Sequence, residues 1–358
     1  MLFDGPFWRF ALLLAVCALP PLALTNSSAA LAQSGNSNAG ENRAGESELA
    51  RLQRLEAQLF ATGWRLASAN AEFCDNAAPS IGLLLHDAQS YGDPDAVRAE
   101  LGLSGDIAVQ AVAPGSPAEA AQIRTNDTLV EAASATIEQG FPSAEVTGEP
   151  RWKRMAAVND RIEAHLAHNG GVLLVWEPAV SNSNKPPKGA VVHGVPACPS
   201  RFEVHLRGKG AMADGTRVIL GHKFPGFAYA EDEFAAAVAH ELAHNLLGHR
   251  ALLDAEGRSG RLVRLTERDA DRLMPWLLAN AGHDPHAASR FMQRWGQRHG
   301  GGLFRKRSHD GWDERVELIE AEIVAVEAAL ANEGKADWAS RFTELARAKP
   351  AQAKLADD

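Results

Sequence analysis

The spacing of apolar positions along the chain changes several times, and each change predicts a different kind of element. Between residues 49 and 60 leucines recur at roughly helical spacing, which predicts a lead-in helix over 46–76. Four short apolar runs follow, IGLLLHD, IAVQAVAP, DTLVEAA and GVLLVWEP, and each is typical of a strand. A helix-forming stretch, WKRMAAVNDRIEAHLAHNGG, precedes the last run. The pattern therefore predicts a small β-rich module over 77–180.

The second half of the chain has a different pattern. A polar, proline-containing stretch predicts a linker over 181–190. After it, RFEVHLRG and TRVILGHKF read as strands around the turn MADG, and the remaining pattern is mainly helical. We therefore expect an α+β fold, in which a mainly helical domain with a small sheet (191–345) follows the β-rich module and precedes a C-terminal tail (346–358).

The N-terminus predicts export. One arginine precedes an apolar run over 10–24, and Ala30-Leu31-Ala32 supplies an A-x-A cleavage pattern. We expect a signal peptide over 1–32, a flexible Gly/Ser/Asn-rich linker over 33–45, and a periplasmic or envelope location. The apolar run is shorter than the roughly 20 residues of a membrane span. The mature chain is therefore expected to lack a stable span, with an uncleaved anchor as the alternative.

Composition and charge limit the classes of function. The 358 residues are 46% hydrophobic and 23% charged, which suits two globular domains. A formal net charge of −9, without a long Lys/Arg run, argues against a nucleic-acid partner. Cys74 and Cys198 remain after removal of the signal peptide. In an oxidising compartment this even pair predicts one disulfide, and two buried thiols are the alternative.

The helical stretch EDEFAAAVAHELAHNLLGHR carries the main candidate chemistry. Because residues four apart share a helix face, His240 and His244 can hold one metal ion together. With Glu241 between them they form H-E-x-x-H, in which two imidazoles bind zinc and the glutamate is the general base. On a continuous helix, His249 would lie about 180° from His240. It is therefore predicted to be a structural or surface residue.

A third metal ligand is expected from the downstream stretch LTERDADRLMPWLL. Glu267 and Asp271 are four apart, so on one helix face Glu267 can complete a His₂Glu zinc site while Asp271 accepts a ring N–H from a ligating histidine. The alternative is a solvated helix start capped by Thr266. Pro275 is expected to kink or end this helix.

The β-rich module resembles PDZ domains. The matching stretch is VQAVAPGSPAEAAQIRTNDTLV, in which Gln122 and Asn126 stand where the PDZ pattern usually has glycines. The resemblance implies a PDZ-like domain that takes the C-terminus of a peptide as its ligand. The alternative is a PDZ-shaped spacer that binds nothing.

Residues from about 200 to 320 resemble the zinc metallopeptidases that include the CAAX prenyl protease, the HtpX heat-shock protease and the Oma-type peptidases. The resemblance rests on four stretches in order, AMADGTRVILG, DEFAAAVAHELAHNLLGH, ERDADRLMPWLLANAGHDPHAASRFMQRW and SHDGWDERVELI. It implies one zinc ion on His240, His244 and Glu267, with Glu241 as base and Asp271 behind the ligands.

The same resemblance adds two further candidate residues. His309 and Arg315 match a later His and Arg of the family, although Asp310 replaces the proline that usually follows this histidine. The resemblance implies that they contact substrate or stabilise the developing oxyanion. Their alternatives are a surface-loop histidine and a helix-starting arginine.

These observations predict an exported zinc endopeptidase that acts on peptides or unfolded proteins, with envelope protein quality control as one setting. The alternative is a PDZ-type peptide-binding adaptor or chaperone whose protease domain is latent or inactive. The strand around Val218 to Leu220 is expected to pair with an extended substrate along its edge.

Overall fold

The computed structural model describes residues 45–148, 150–179, 186–299 and 311–342. The predicted signal peptide and C-terminal tail lie outside these residues, as does most of the linker over 33–45. The described part begins with helix α1 (Glu48–Ala69), which Ser47 caps by accepting a hydrogen bond from the backbone N–H of Ala50. The lead-in helix therefore forms as predicted, and a short 3₁₀ turn (Ala71–Phe73) follows it.

The β-rich region contains each strand and the long helix that the pattern predicts. Its elements are β1 (Ala78–Ser80), β2 (Leu83–Asp87), α2 (Pro94–Leu101), β3 (Ile107–Val112), α3 (Pro117–Ala120), β4 (Thr128–Ala132), β5 (Ala135–Thr136), α4 (Ile137–Gly140), α5 (Ala144–Thr147), α6 (Trp152–Asn169), β6 (Gly171–Glu177) and β7 (Lys188–His193). A six-stranded sheet has the order β2-β3-β4-β6-β7, with β5 paired to β4, and its neighbours are antiparallel.

One face of α6 closes the core of this sheet. Val158, Ile162 and Leu166 are buried on α6, at the spacing that the sequence pattern predicts. Gln122 and Asn126 adopt φ values of 63° and 70°. The backbone therefore keeps a glycine-type conformation at the two positions where glycines are replaced.

The second region contains a smaller sheet and five helices among the described residues. Its elements are β8 (Val195–Ala197), β9 (Arg201–His205), β10 (Ala211–Ala213), β11 (Arg217–Gly221), α7 (Glu231–Leu246), α8 (His249–Glu256), α9 (Gly260–Asn280), α10 (Ala287–His299) and α11 (Trp312–Glu333). The three-stranded sheet has the order β10-β11-β9, in which β11 is parallel to β9 and antiparallel to β10. Together the two regions confirm the predicted α+β class.

Two predictions about these strands are corrected. The MADG stretch is not simply a turn, because its first two residues belong to β10 and the chain reverses only at Asp214, whose side chain accepts from the backbone of Arg217. Val218 pairs with Ala213 on one side and Phe202 on the other. Since β11 is the central strand, the prediction that its edge receives substrate is wrong.

The connection between the regions is more ordered at its end than the polar composition suggests. Residues 188–193 form β7, which pairs with β6 along its whole length. The next strand, β8, pairs with β1 at the start of the β-rich region. Residues at the end of the predicted linker and just beyond it therefore complete the first sheet.

Helix α9 differs from its prediction in two respects. It begins at Gly260, after the cap Ser259, so Thr266 is a buried mid-helix residue and the alternative of a solvated helix start is wrong. The helix also continues through Pro275 to Asn280, so it does not end at this proline, and the kink stays a prediction. Trp276, like the two leucines after it, is buried. The free energy gained by burying this apolar turn therefore exceeds the cost of the backbone hydrogen bond that proline removes.

The predicted disulfide is present. Cys74 and Cys198 are bonded with a Cα–Cα distance of 5.6 Å, which lies within the range that disulfides allow. Close by, the backbone N–H of Cys198 donates to the carbonyl of Ala67. The bond therefore fastens the end of α1 to the segment that enters β9. None of the helices in the described ranges combines the length and apolar character that crossing a bilayer requires.

Replacing Cys74 and Cys198 together by alanine is expected to lower the free energy of unfolding by about 2–4 kcal/mol, because the bond closes a long loop in the unfolded chain. Urea unfolding without reductant measures the change. The wild type with reductant should unfold at the midpoint of the double variant. An unchanged midpoint in the variant would show that the bond does not contribute to stability.

Candidate metal centre

Two packed helices bring the predicted ligands together. Helix α7 carries His240, Glu241 and His244, and its acidic first turn complements the helix dipole. Small buried alanines along α7 allow close packing, and α7 contacts α9 extensively. Helix α9 presents Glu267 and Asp271 toward the two histidines.

The three predicted ligand atoms surround one point. Nε2 of His240 lies 3.3 Å from Nε2 of His244, and Glu267 places its carboxylate oxygens 3.7 Å and 3.6 Å from these nitrogens. Ligand atoms about 2.0–2.1 Å from a tetrahedral ion lie about 3.4 Å from one another. The His240, His244 and Glu267 group could therefore hold a metal ion, in agreement with the predicted ligand set.

Asp271 occupies the position that the sequence predicts behind His240. Its Oδ1 is 3.1 Å from Nδ1 of His240, and its side chain is fully buried. Arg315, on α11, donates to both oxygens of Asp271, from Nε at 2.6 Å and Nη2 at 2.7 Å. Nη2 of Arg315 also lies 3.4 Å from Glu267. The structure therefore shows a contact of Arg315 with Asp271, and the substrate contact that the resemblance implied stays a prediction.

His249 is the functional neighbour that the sequence reasoning missed. Helix α7 ends at Leu246, and Gly248 adopts a left-handed φ of 64° before α8 begins at His249. This break returns His249 to the site, where its Nδ1 is 2.9 Å from Nδ1 of His244. The expectation of an opposite-facing residue was wrong because it assumed a continuous helix.

The ionisable groups of this cluster shift one another's pKa values. Burial lowers the pKa of His240, but the nearby carboxylates of Asp271 and Glu267 together outweigh it and raise this pKa to about 10. Burial, followed by the charge on His240, lowers the pKa of His244 to about 3. Burial raises the pKa of Glu267, but His240, His244 and Arg315 together outweigh it and hold this pKa below its usual range. The cluster therefore favours one positive charge between its carboxylates.

Glu241 differs from the other acidic residues of the site. Burial raises the pKa of Glu241 to about 7. Its carboxylate has no hydrogen-bond partner among the residues that the structure describes. This side chain is therefore available to accept a proton from a water molecule at the site.

A cavity of about 240 Å³ lies beside His244. Residues of β10, of the turn after it, of the end of α7 and of α8 line this cavity. Asn245, one of the lining residues, accepts a hydrogen bond from the backbone N–H of Gly215 and donates one to the hydroxyl of Ser200. Open space is therefore present next to one of the candidate ligands.

His309 lies outside the described residues, so its predicted contact with substrate stays a prediction. Comparisons with known proteins identify no family for this chain, since no protein-family model and no curated protein matches it. The metallopeptidase and PDZ resemblances therefore remain inferences from the sequence motifs. Functional inference rests on those motifs and on the geometry of the metal group.

Proposed function

We propose that this protein is an exported zinc-dependent endopeptidase that hydrolyses peptides or unfolded proteins. The observation that carries the proposal is the convergence of His240, His244 and Glu267 around one point, with Glu241 beside them. Two imidazoles and one carboxylate are the ligand set of catalytic zinc sites that keep a fourth position open. Calcium and magnesium prefer sites made of oxygen ligands, which this group does not provide.

Glu241 and Asp271 have different roles in the proposed reaction. Zinc, when bound, lowers the pKa of a water molecule and polarises the peptide carbonyl. Glu241 would accept a proton from the attacking water and deliver it to the leaving amine. With its Oδ1 3.1 Å from Nδ1 of His240, Asp271 would keep a proton on that nitrogen and so leave Nε2 of His240 to hold the ion.

The small sheet offers a place for an extended substrate. Strand β10 lies at the edge of that sheet and contacts α7. An extended peptide can add to such an edge by backbone hydrogen bonds. Substrate pairing is therefore assigned to β10 in this proposal, in place of the central strand β11.

The proposal also includes the location and the PDZ-like module. A disulfide between Cys74 and Cys198 is consistent with an oxidising compartment outside the cytosol. The glycine-type backbone at Gln122 and Asn126 supports the PDZ resemblance. Binding of C-terminal peptides to this module belongs to the proposal.

The test is hydrolysis of an unfolded protein by the mature chain, residues 33–358, loaded with zinc. Chelation is expected to abolish hydrolysis and added zinc to restore it, because the ligand set selects zinc. Added calcium or magnesium serves as the control and should not restore activity. Stoichiometric zinc without hydrolysis of any unfolded substrate would contradict the peptidase and favour the adaptor.

A further inference from the structure

The second metal histidine has a buried partner that neither the motif nor the resemblance identifies. The Nδ1 atoms of His244 and His249 are 2.9 Å apart, and the two rings meet edge to face with an interplanar angle of 74°. His249 is only 4% exposed. Two ring nitrogens at this distance share one proton, so one of them donates and the other accepts.

The orientation of His244 toward the other candidate ligands determines which of the two Nδ1 atoms donates. The atom that His244 turns toward His240 and Glu267 is Nε2. A neutral imidazole that offers the lone pair of Nε2 to a cation carries its proton on Nδ1. His244 is therefore the donor, and His249 must present the lone pair of its own Nδ1.

Each of the two candidate metal histidines therefore has an acceptor beside its Nδ1 atom, and the two acceptors differ. His240 places its Nδ1 3.1 Å from a carboxylate oxygen of Asp271, whereas His244 donates to the imidazole of His249. We propose that His249 is a positioning residue that fixes the tautomer and ring orientation of His244 for metal binding. This role rests on the metal centre of the proposed function, and it is independent of whether the substrate is a peptide.

The local backbone explains how His249 reaches this position. Gly248 adopts a left-handed conformation between α7 and α8, with open space where a Cβ atom would lie. Asn245 anchors the end of α7 through hydrogen bonds to Gly215 and Ser200. The helix end is therefore held in place while the chain turns His249 back against His244.

Zinc affinity, measured on the whole mature chain by competition with a chromophoric chelator, tests this role without any assay of hydrolysis. His249→Leu removes the acceptor and is expected to weaken zinc binding by about 10–100-fold, the usual effect of losing an outer partner of a metal histidine. His249→Asn is expected to recover most of the loss, because its amide oxygen can take the place of Nδ1. His286→Leu, at an exposed histidine on the surface, is the matched control and should bind zinc like the wild type.

Each outcome is informative. Wild-type zinc affinity in the His249→Leu variant would overturn the positioning role of His249. Equal losses of zinc affinity in the leucine and asparagine variants would also overturn it, because they would show that His249 contributes only by packing. Failure of the wild type to bind zinc would instead remove the metal centre of the proposed function, and this role with it. If His249→Leu does not fold, His249→Gln replaces it. The amide of glutamine reaches beyond the Nδ1 position, so glutamine, unlike asparagine, should not recover zinc affinity.

Discussion

Replacing Glu241 by glutamine is expected to lower kcat for hydrolysis of an unfolded protein by about 10²–10⁴-fold, the usual contribution of a general base. Glutamine has nearly the same size but cannot accept the proton of the attacking water. Zinc should remain bound, because the converging donor atoms belong to His240, His244 and Glu267. Initial rates at saturating substrate, with zinc content measured on the same samples, check both parts of the prediction.

The matched control is Glu256→Gln, which makes the same change at an exposed position on α8. It should keep the wild-type kcat. Full activity in the Glu241 variant would mean that another group accepts the proton. Loss of zinc from that variant would mean that Glu241 helps to hold the ion, and the division of roles on α7 would then be wrong.

The parts of the candidate metal centre that depend on spacing within one helix could be predicted from the sequence. His240 and His244 share a face of α7, and Glu267 and Asp271 share a face of α9, so helical periodicity alone relates the members of each pair. The role of His249 could not be predicted in this way. It depends on one left-handed residue, Gly248, which ends the periodicity on which the expectation was built. A glycine immediately before the histidine was the available indication of a helix end.

The strands show the same division between local and non-local information. Apolar runs located β2, β3, β4 and β6 of the large sheet, because burial patterns are local. Pairing depends on distant segments, so the sequence did not reveal that β11 lies between β9 and β10 or that β7 joins the first sheet. Pro275 is a further example, since burial of the turn that follows it outweighs a local rule about helix ends.

Replacing Arg315 by methionine is expected to lower the free energy of unfolding of the metal-free protein by about 3–5 kcal/mol, the usual cost of removing one member of a buried ion pair. Asp271 is fully buried, and Arg315 donates to both of its oxygens. Methionine retains the apolar stem but provides no donor. Urea unfolding measures the difference, and Arg258→Met, in a surface ion pair with Asp254, should leave stability nearly unchanged.

A second variant separates this positioning role from the substrate contact that the family resemblance implied. If Arg315 acts through Asp271, the double variant Asp271→Leu with Arg315→Met should be more stable than Arg315→Met alone, because the double variant removes both members of the buried Asp271–Arg315 pair. If Arg315 acts on substrate, Arg315→Met should keep wild-type stability and lose kcat. The bidentate contact with Asp271 predicts the first result, in which one guanidinium maintains the charge balance that lets His240 present Nε2 to a metal ion.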